Sequence, residues 1–176
     1  PYPSNLTVSG LPTSGVTVKS VTINGVTHTF PSDIDIILQS PTGQNVVLMS
    51  DAGSGTDATG QTFTFDDAAT ALMNTTFNPT GTYRPTNIGA ADTWVAPGPG
   101  AITQATPTLA SFTGNHNGVW KLFVVDDLGG DIGSISGGFS ITFAATGIIP
   151  GLTYVWSPAT GLNATNTNPV AASPNT

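Results

Sequence analysis

Ten acidic residues carry most of the chemistry this chain of 176 residues can offer, and every one of them is aspartate. The carboxylate of Asp is short and close to the backbone. It suits tight turns and loops that gather oxygen ligands around a hard cation. Asp51, Asp57, Asp66 and Asp67 bracket one glycine-rich stretch, "DAGSGTDATG" followed by "QTFTFDDAA". Calcium takes six to eight oxygens at about 2.3–2.6 Å, and a flexible loop ending in a double Asp can supply several of them. The spacing is not that of an EF-hand, and the competing reading is that these aspartates only cap turns.

Asp33 and Asp35 form a second pair. One residue apart in a strand, they share a face while Ile34 and Ile36 point inward, and two carboxylates on one face repel unless a cation or water lies between them. If the following strand returns antiparallel, Asp51 comes back beside Asp33 at one end of the fold, and a shared Ca²⁺ site there is a second candidate. A third group lies in "FVVDDLGGDIGSISGGFSITF", residues 123–143. Here Gly129 and Gly130 permit positive φ, and Asp131 can close an Asx turn. Its hinge reads as structural first, with Asp126 or Asp127 as an outer cation ligand.

Catalysis finds less support. A glycosidase needs two carboxylates of unlike pKa in a cleft with aromatic platforms, whereas these aspartates sit in turn-forming contexts. His28, Ser32 and Asp33 are the ingredients of a triad, but triads draw on distant segments and a strained nucleophile turn, and neither is signalled. His116, in "TGNHNGVW", reads as a solvated turn residue. Trp94 lies in a proline-rich excursion, where it is either an exposed platform for a sugar or a pin that fastens the loop. The expectation is a protein that is not an enzyme.

Composition agrees with that. Only 7% of residues are charged, Lys19, Arg84 and Lys121 are the only cations of the Lys/Arg type, and the net charge is −7. Phosphate-backbone recognition needs a basic surface, so nucleic acid is excluded as a partner. The absence of Cys removes disulfides, thiol nucleophiles and cysteine-zinc centres. No apolar run approaches the roughly 18–20 residues of a membrane-spanning helix, so membrane insertion is not expected.

The elements that must hold these residues are strands. Twenty-one Gly and fourteen Pro cut the chain into short pieces, and Glu, the helix-forming acid, is missing. "VTVKSVTINGV" alternates apolar and polar residues with a phase change near Ser20 that reads as a bulge. "IDIILQS", the turn "PTGQ" and "NVVLMS" make a hairpin over residues 34–50. "QTFTF", "GVWKLFVVDD" and "GFSITFAAT" supply further strands, and an irregular, proline-rich stretch of some forty residues separates the first of these from the other two. The pattern predicts an all-β, jelly-roll-type β-sandwich of about eight antiparallel strands spanning 1–147. Residues 148–176 read as a linker and the beginning of a following repeat, or as a docked tail.

Five blocks carry a resemblance: "VTHTFPSDIDIILQSPTGQNVVLMSD", "TFTFDDAA", "GTYRPTN", "LASFTGNHNGVWKLFVVDD" and "GGDIGSISGGFSITF". In this order, over about residues 15–145, they resemble the P domain that follows the catalytic domain of kexin-like and furin-like proprotein convertases, and more closely its bacterial versions. His28-Thr29-Phe30, Ser40 to Gly43, and Gly118 with Trp120 match the family's turns and strand start; Phe139 stands where members usually carry Trp. The resemblance implies a β-sandwich, calcium binding, and a stabilising or adhesive role beside neighbouring domains of the same chain. The tail "YVWSPATGLNATNTNPVAASPNT" is similar to the opening of Ig-like or PKD-like repeats of bacterial surface proteins. A secreted or cell-surface location follows, with a surface glycan or protein as a further partner. The alternatives are the accessory domain of a secreted subtilisin-like protease and a carbohydrate-binding module.

Overall fold

A computed structural model describes residues 2–89 and 91–146; the expected linker and second repeat at 148–176 lie outside the described residues. The fold is all-β and sandwich-like. One sheet has the order β1 (Ser4–Val8), β10 (Gly118–Asp126), β3 (Ile34–Gln39), β4 (Asn45–Ser50), β7 (Thr86–Asn87). The other runs β11 (Gly133–Ile135), β2 (Val16–His28), β5 (Ala58–Phe65), β6 (Gly81–Tyr83), with β12 (Phe139–Ala145) also paired to β2. A separate ribbon of β8 (Asp92–Trp94) and β9 (Gly100–Ile102) completes the strands. No helix among the described residues is long and apolar enough to cross a membrane.

The long strands form where alternation is strongest. Along β2, Val16, Val18, Val21, Ile23 and Val26 are buried. The spacing breaks between Val18 and Val21, and there the pairing with β12 slips, Thr142 facing Ser20 while Phe143 faces Val18. The slip is the bulge that the phase change at Ser20 predicts: it keeps apolar residues inward on both sides of an extra residue. The β3–β4 hairpin also forms, antiparallel, with its own slip between Ile36 and Ile37.

Two pairings depart from the antiparallel expectation: β4 with β7 and β5 with β6 are parallel. Both partners are strands of two or three residues within 81–87, laid down as the chain from β5 doubles back and edges each sheet in turn. The hinge after β10 leads into β11 before β12. It carries the chain from the first sheet to the second, where β11 and β12 both pair with β2.

Between the sheets lies the main core, with Val21, Ile23, Ile36, Leu38, Leu48, Phe63, Phe65 and Trp120. A smaller core lies on the outer face of the first sheet, where Ile37, Val47 and Phe123 pack with Trp94. This second layer explains why β3 is buried on both faces: the β8–β9 ribbon covers the side that a simple sandwich would leave to water.

Candidate functional site

The β3–β4 hairpin sets the site. Asp35 shares a face with Ile37, the face under the ribbon, and is only 2% exposed. Asp33 ends the short 3₁₀ turn Pro31–Asp33 that enters β3, and it too is buried. Asp51 follows β4 immediately, and its backbone N–H donates to Asp35 Oδ1 at 3.3 Å. It adopts φ +52, a left-handed conformation that Asp tolerates better than most residues. Gly89 lies against it: a Cβ there would stand 2.7 Å from Asp51 Oδ2, so only glycine leaves the carboxylate its place.

Two further strand ends converge on the hairpin. Beyond β10, the Asp127 N–H donates to the Asp33 carbonyl at 3.0 Å, which extends the β10–β3 ladder and fixes Asp127 beside the turn. At the start of β8, Asp92 accepts a hydrogen bond from Ser50 Oγ at 2.5 Å. One carboxylate oxygen from each of Asp35, Asp92 and Asp127 lies within 4.8 Å of the others. Two oxygens on opposite sides of a calcium ion bound at about 2.4 Å stand about 4.8 Å apart, so the spacing suits a cation at the centre of the group.

The electrostatics follow from crowding like charges around the buried Asp35, with Asp51 and Asp92 half-buried and Asp127 at the exposed edge. Burial, reinforced by Asp92 and Asp127, pushes the Asp35 carboxyl up to about 7. Burial first, then Asp92, Asp127 and Asp33, raises Asp51, and burial with Asp33 and Asp92 raises Asp127. The Asp33 carboxyl takes a hydrogen bond from Ser32 Oγ on Oδ1 at 3.2 Å, but its Oδ2 is buried without a partner. A buried carboxylate oxygen left unsatisfied beside others costs free energy that a proton or a cation removes. A hard divalent ion suits this donor set, which consists of carboxylate oxygens.

The structure therefore brings Asp33, Asp35 and Asp51 together and joins them to Asp92 and Asp127. It does not bring Asp57, Asp66 and Asp67 to the same place. Asp57 is exposed in the loop before β5. Asp66 receives Lys19 Nζ at 2.8 Å, and this hydrogen-bonded contact holds its carboxyl below the usual range. Asp67 accepts from Thr108 Oγ1 at 2.6 Å and from the Leu109 and Ala110 amides at 2.9 Å each, capping the 3₁₀ turn Leu109–Ser111. Asp67→Ala is accordingly expected to cost about 1 kcal/mol, as loss of an N-terminal cap does, with no change in the response of the melting temperature to calcium.

The remaining polar residues are engaged elsewhere. His28 Nδ1 accepts from the Phe30 N–H at 3.1 Å and Nε2 lies 3.2 Å from Asp126 Oδ2, while Ser32 turns to Asp33, so these residues do not assemble a nucleophilic relay. His116 corrects its reading as a solvated residue: it is 1% exposed, bonds the Val16 carbonyl at 2.9 Å and stacks on Trp120. Its turn folds back beneath β12, so the ring lies in the core. Trp94 is fully buried and pins the ribbon, leaving no face for a sugar. Asp131 accepts from Thr29 Oγ1 at 3.0 Å and ties down the hinge.

Asp92 is the member of the cluster that strand periodicity does not reveal, since it lies in the irregular stretch. A usable signal existed: between Arg84 and Lys121 it is the only acidic residue. No protein-family model matches the chain, and no curated protein matches it.

Proposed function

We propose that the chain is a non-catalytic, calcium-stabilised module of a large exported or cell-surface protein, of the convertase P-domain type, that braces or presents neighbouring domains. The observation that carries this reading is the convergence of Asp33, Asp35, Asp51, Asp92 and Asp127 from four separate segments at one end of the sandwich. An arrangement that is self-repelling without a cation becomes a cross-link with one. The acidic, cysteine-free composition and the resemblance of five sequence blocks to P domains support it further. The test is calorimetric titration of the metal-stripped protein with calcium at neutral pH. Wild type should bind and release protons as Asp35 ionises, and Asp35→Asn should lose at least about tenfold in affinity, the order expected for a lost charged ligand. No heat of binding in wild type, or equal affinity in the variant, would remove the support.

A further inference from the structure

We infer that the same end of the molecule is a latch: a divalent cation shared by Asp35, Asp92 and Asp127 holds the β8–β9 ribbon on the outer face of the first sheet, and its removal frees the ribbon. This inference rests on the calcium reading above. Asp35 and Asp127 belong to the body of the sandwich, on β3 and just past β10, whereas Asp92 opens the ribbon. The ribbon is thus the contributor that belongs to neither main sheet.

Its attachments lie at its open end, where β8 begins and β9 stops, and at its tip. At the open end, Gln104 behaves as a strand substitute: its Oε1 accepts from the Val47 N–H at 2.9 Å, its Nε2 donates to the Asn45 carbonyl at 2.8 Å, and its own carbonyl accepts from Asn87 Nδ2 at 3.0 Å. These bonds are independent of any metal. At the same open end, where Asp92 pairs with Ile102, the Asp92 carboxylate accepts from Ser50 Oγ against repulsion from Asp35 and Asp127. Toward the tip lies Trp94, fully buried on Ile37, Val47 and Phe123 with its Nε1 unpaired, and beside it Tyr2 Oη donates to the Val95 carbonyl at 2.8 Å. Asp33 adds an independent sign that a ligand belongs here: it is 6% exposed, and its Oδ2 is unpartnered next to the group. With the cation in place, like charges become co-ligands and Asp92 is drawn to the body. Without it, Asp92 is repelled from the body, the β8 edge of the ribbon lifts with loss of the Tyr2–Val95 bond, and an apolar face centred on Ile37, Val47 and Phe123 is uncovered.

Hydrogen exchange followed by mass spectrometry on the full chain tests this, alongside a terbium titration of the same stripped sample. With calcium replaced by EDTA, amides of the ribbon from Thr93 to Ile102 should exchange at least about tenfold faster, while those of β2 and β5 change by less than about twofold, as local opening requires. In Asp92→Asn, a substitution at the half-buried start of the ribbon, exchange there should no longer depend on calcium. If terbium binds but ribbon exchange is unchanged, the latch is overturned and the calcium reading stands. If exchange rises equally throughout the sandwich, calcium stabilises the fold as a whole and the latch is again overturned. If terbium does not bind, both fall.

Discussion

Trp120→Ala is expected to cost about 3–5 kcal/mol, the range for removing a large buried aromatic, and to bring the protein close to unfolding, since whole-domain stabilities are only about 5–15 kcal/mol. Trp120 lies on β10 and is fully buried. Its ring meets Phe112 edge-on at 4.9 Å, His116 at 5.9 Å and Phe143 at 5.8 Å, and its Nε1 donates to the His116 carbonyl at 2.9 Å. One side chain thereby joins β10 of the first sheet to β12 of the second and to the turn that precedes β10. Truncation leaves a cavity and removes the bond that the His116 carbonyl accepts from Trp120. Chemical denaturation should show a lower midpoint with a similar slope; a loss below about 1 kcal/mol would mean that these aromatics do not tie the sheets together.

The second large effect concerns pH in the absence of metal. The folded-state pKa of Asp35 is raised to about 7, whereas an unfolded Asp titrates near about 3.9. Between these values the folded protein holds a proton that the unfolded chain has lost. Stability therefore falls as pH rises: the contribution is complete below about 4 and lost as pH passes through about 7. Asp51 and Asp127, also raised, act in the same direction. Asp66, lowered by Lys19, acts in the opposite sense, but its window lies below the usual carboxylate range. In EDTA the melting temperature should fall by several degrees between about pH 5.5 and pH 8, and Asp35→Asn should flatten the slope. With calcium present the decline should vanish, because metal and proton compete for the same oxygens. A flat wild-type profile in EDTA would contradict the clustering of charge at this end.

What was legible in the sequence follows from the range over which each signal acts. The alternation of Val16 to Val26, the turn at Pro41 to Gly43 and the two runs of the hairpin are local patterns, and they yield β2, β3 and β4 with the bulge at Ser20. The hairpin also places Asp51 beside Asp33 and Asp35, so three of the five clustered carboxylates were within reach of strand logic. The runs at β5, β10 and β12 are legible in the same way, whereas β6, β7, β8, β9 and β11 are two- and three-residue strands, too short for a period to register. Their partners are chosen by tertiary packing, which is why two parallel pairings and the ribbon over Ile37 do not show locally. The glycine-rich loop from Asp51 to Asp67 resembles a cation loop only because its aspartates are close in sequence. In space Asp66 and Asp67 are drawn off by Lys19 and by the amides of a distant turn, while Asp92 and Asp127 arrive from far along the chain. His116 deceives for a similar reason: its neighbours are polar, but β12 and Trp120 close over it.

The most direct measurement is the thermal melt of metal-stripped protein at about pH 7.5, in EDTA and in millimolar calcium, for wild type and Asp35→Asn. A ligand bound only by the native state stabilises it by about 2.7 kcal/mol at a hundred times its dissociation constant, which at about 2–4 °C per kcal/mol for a chain of this length is a rise of about 5–11 °C. The wild-type melting temperature should rise by that order with calcium, and the variant's should not. Identical wild-type melts in EDTA and in calcium would contradict the account.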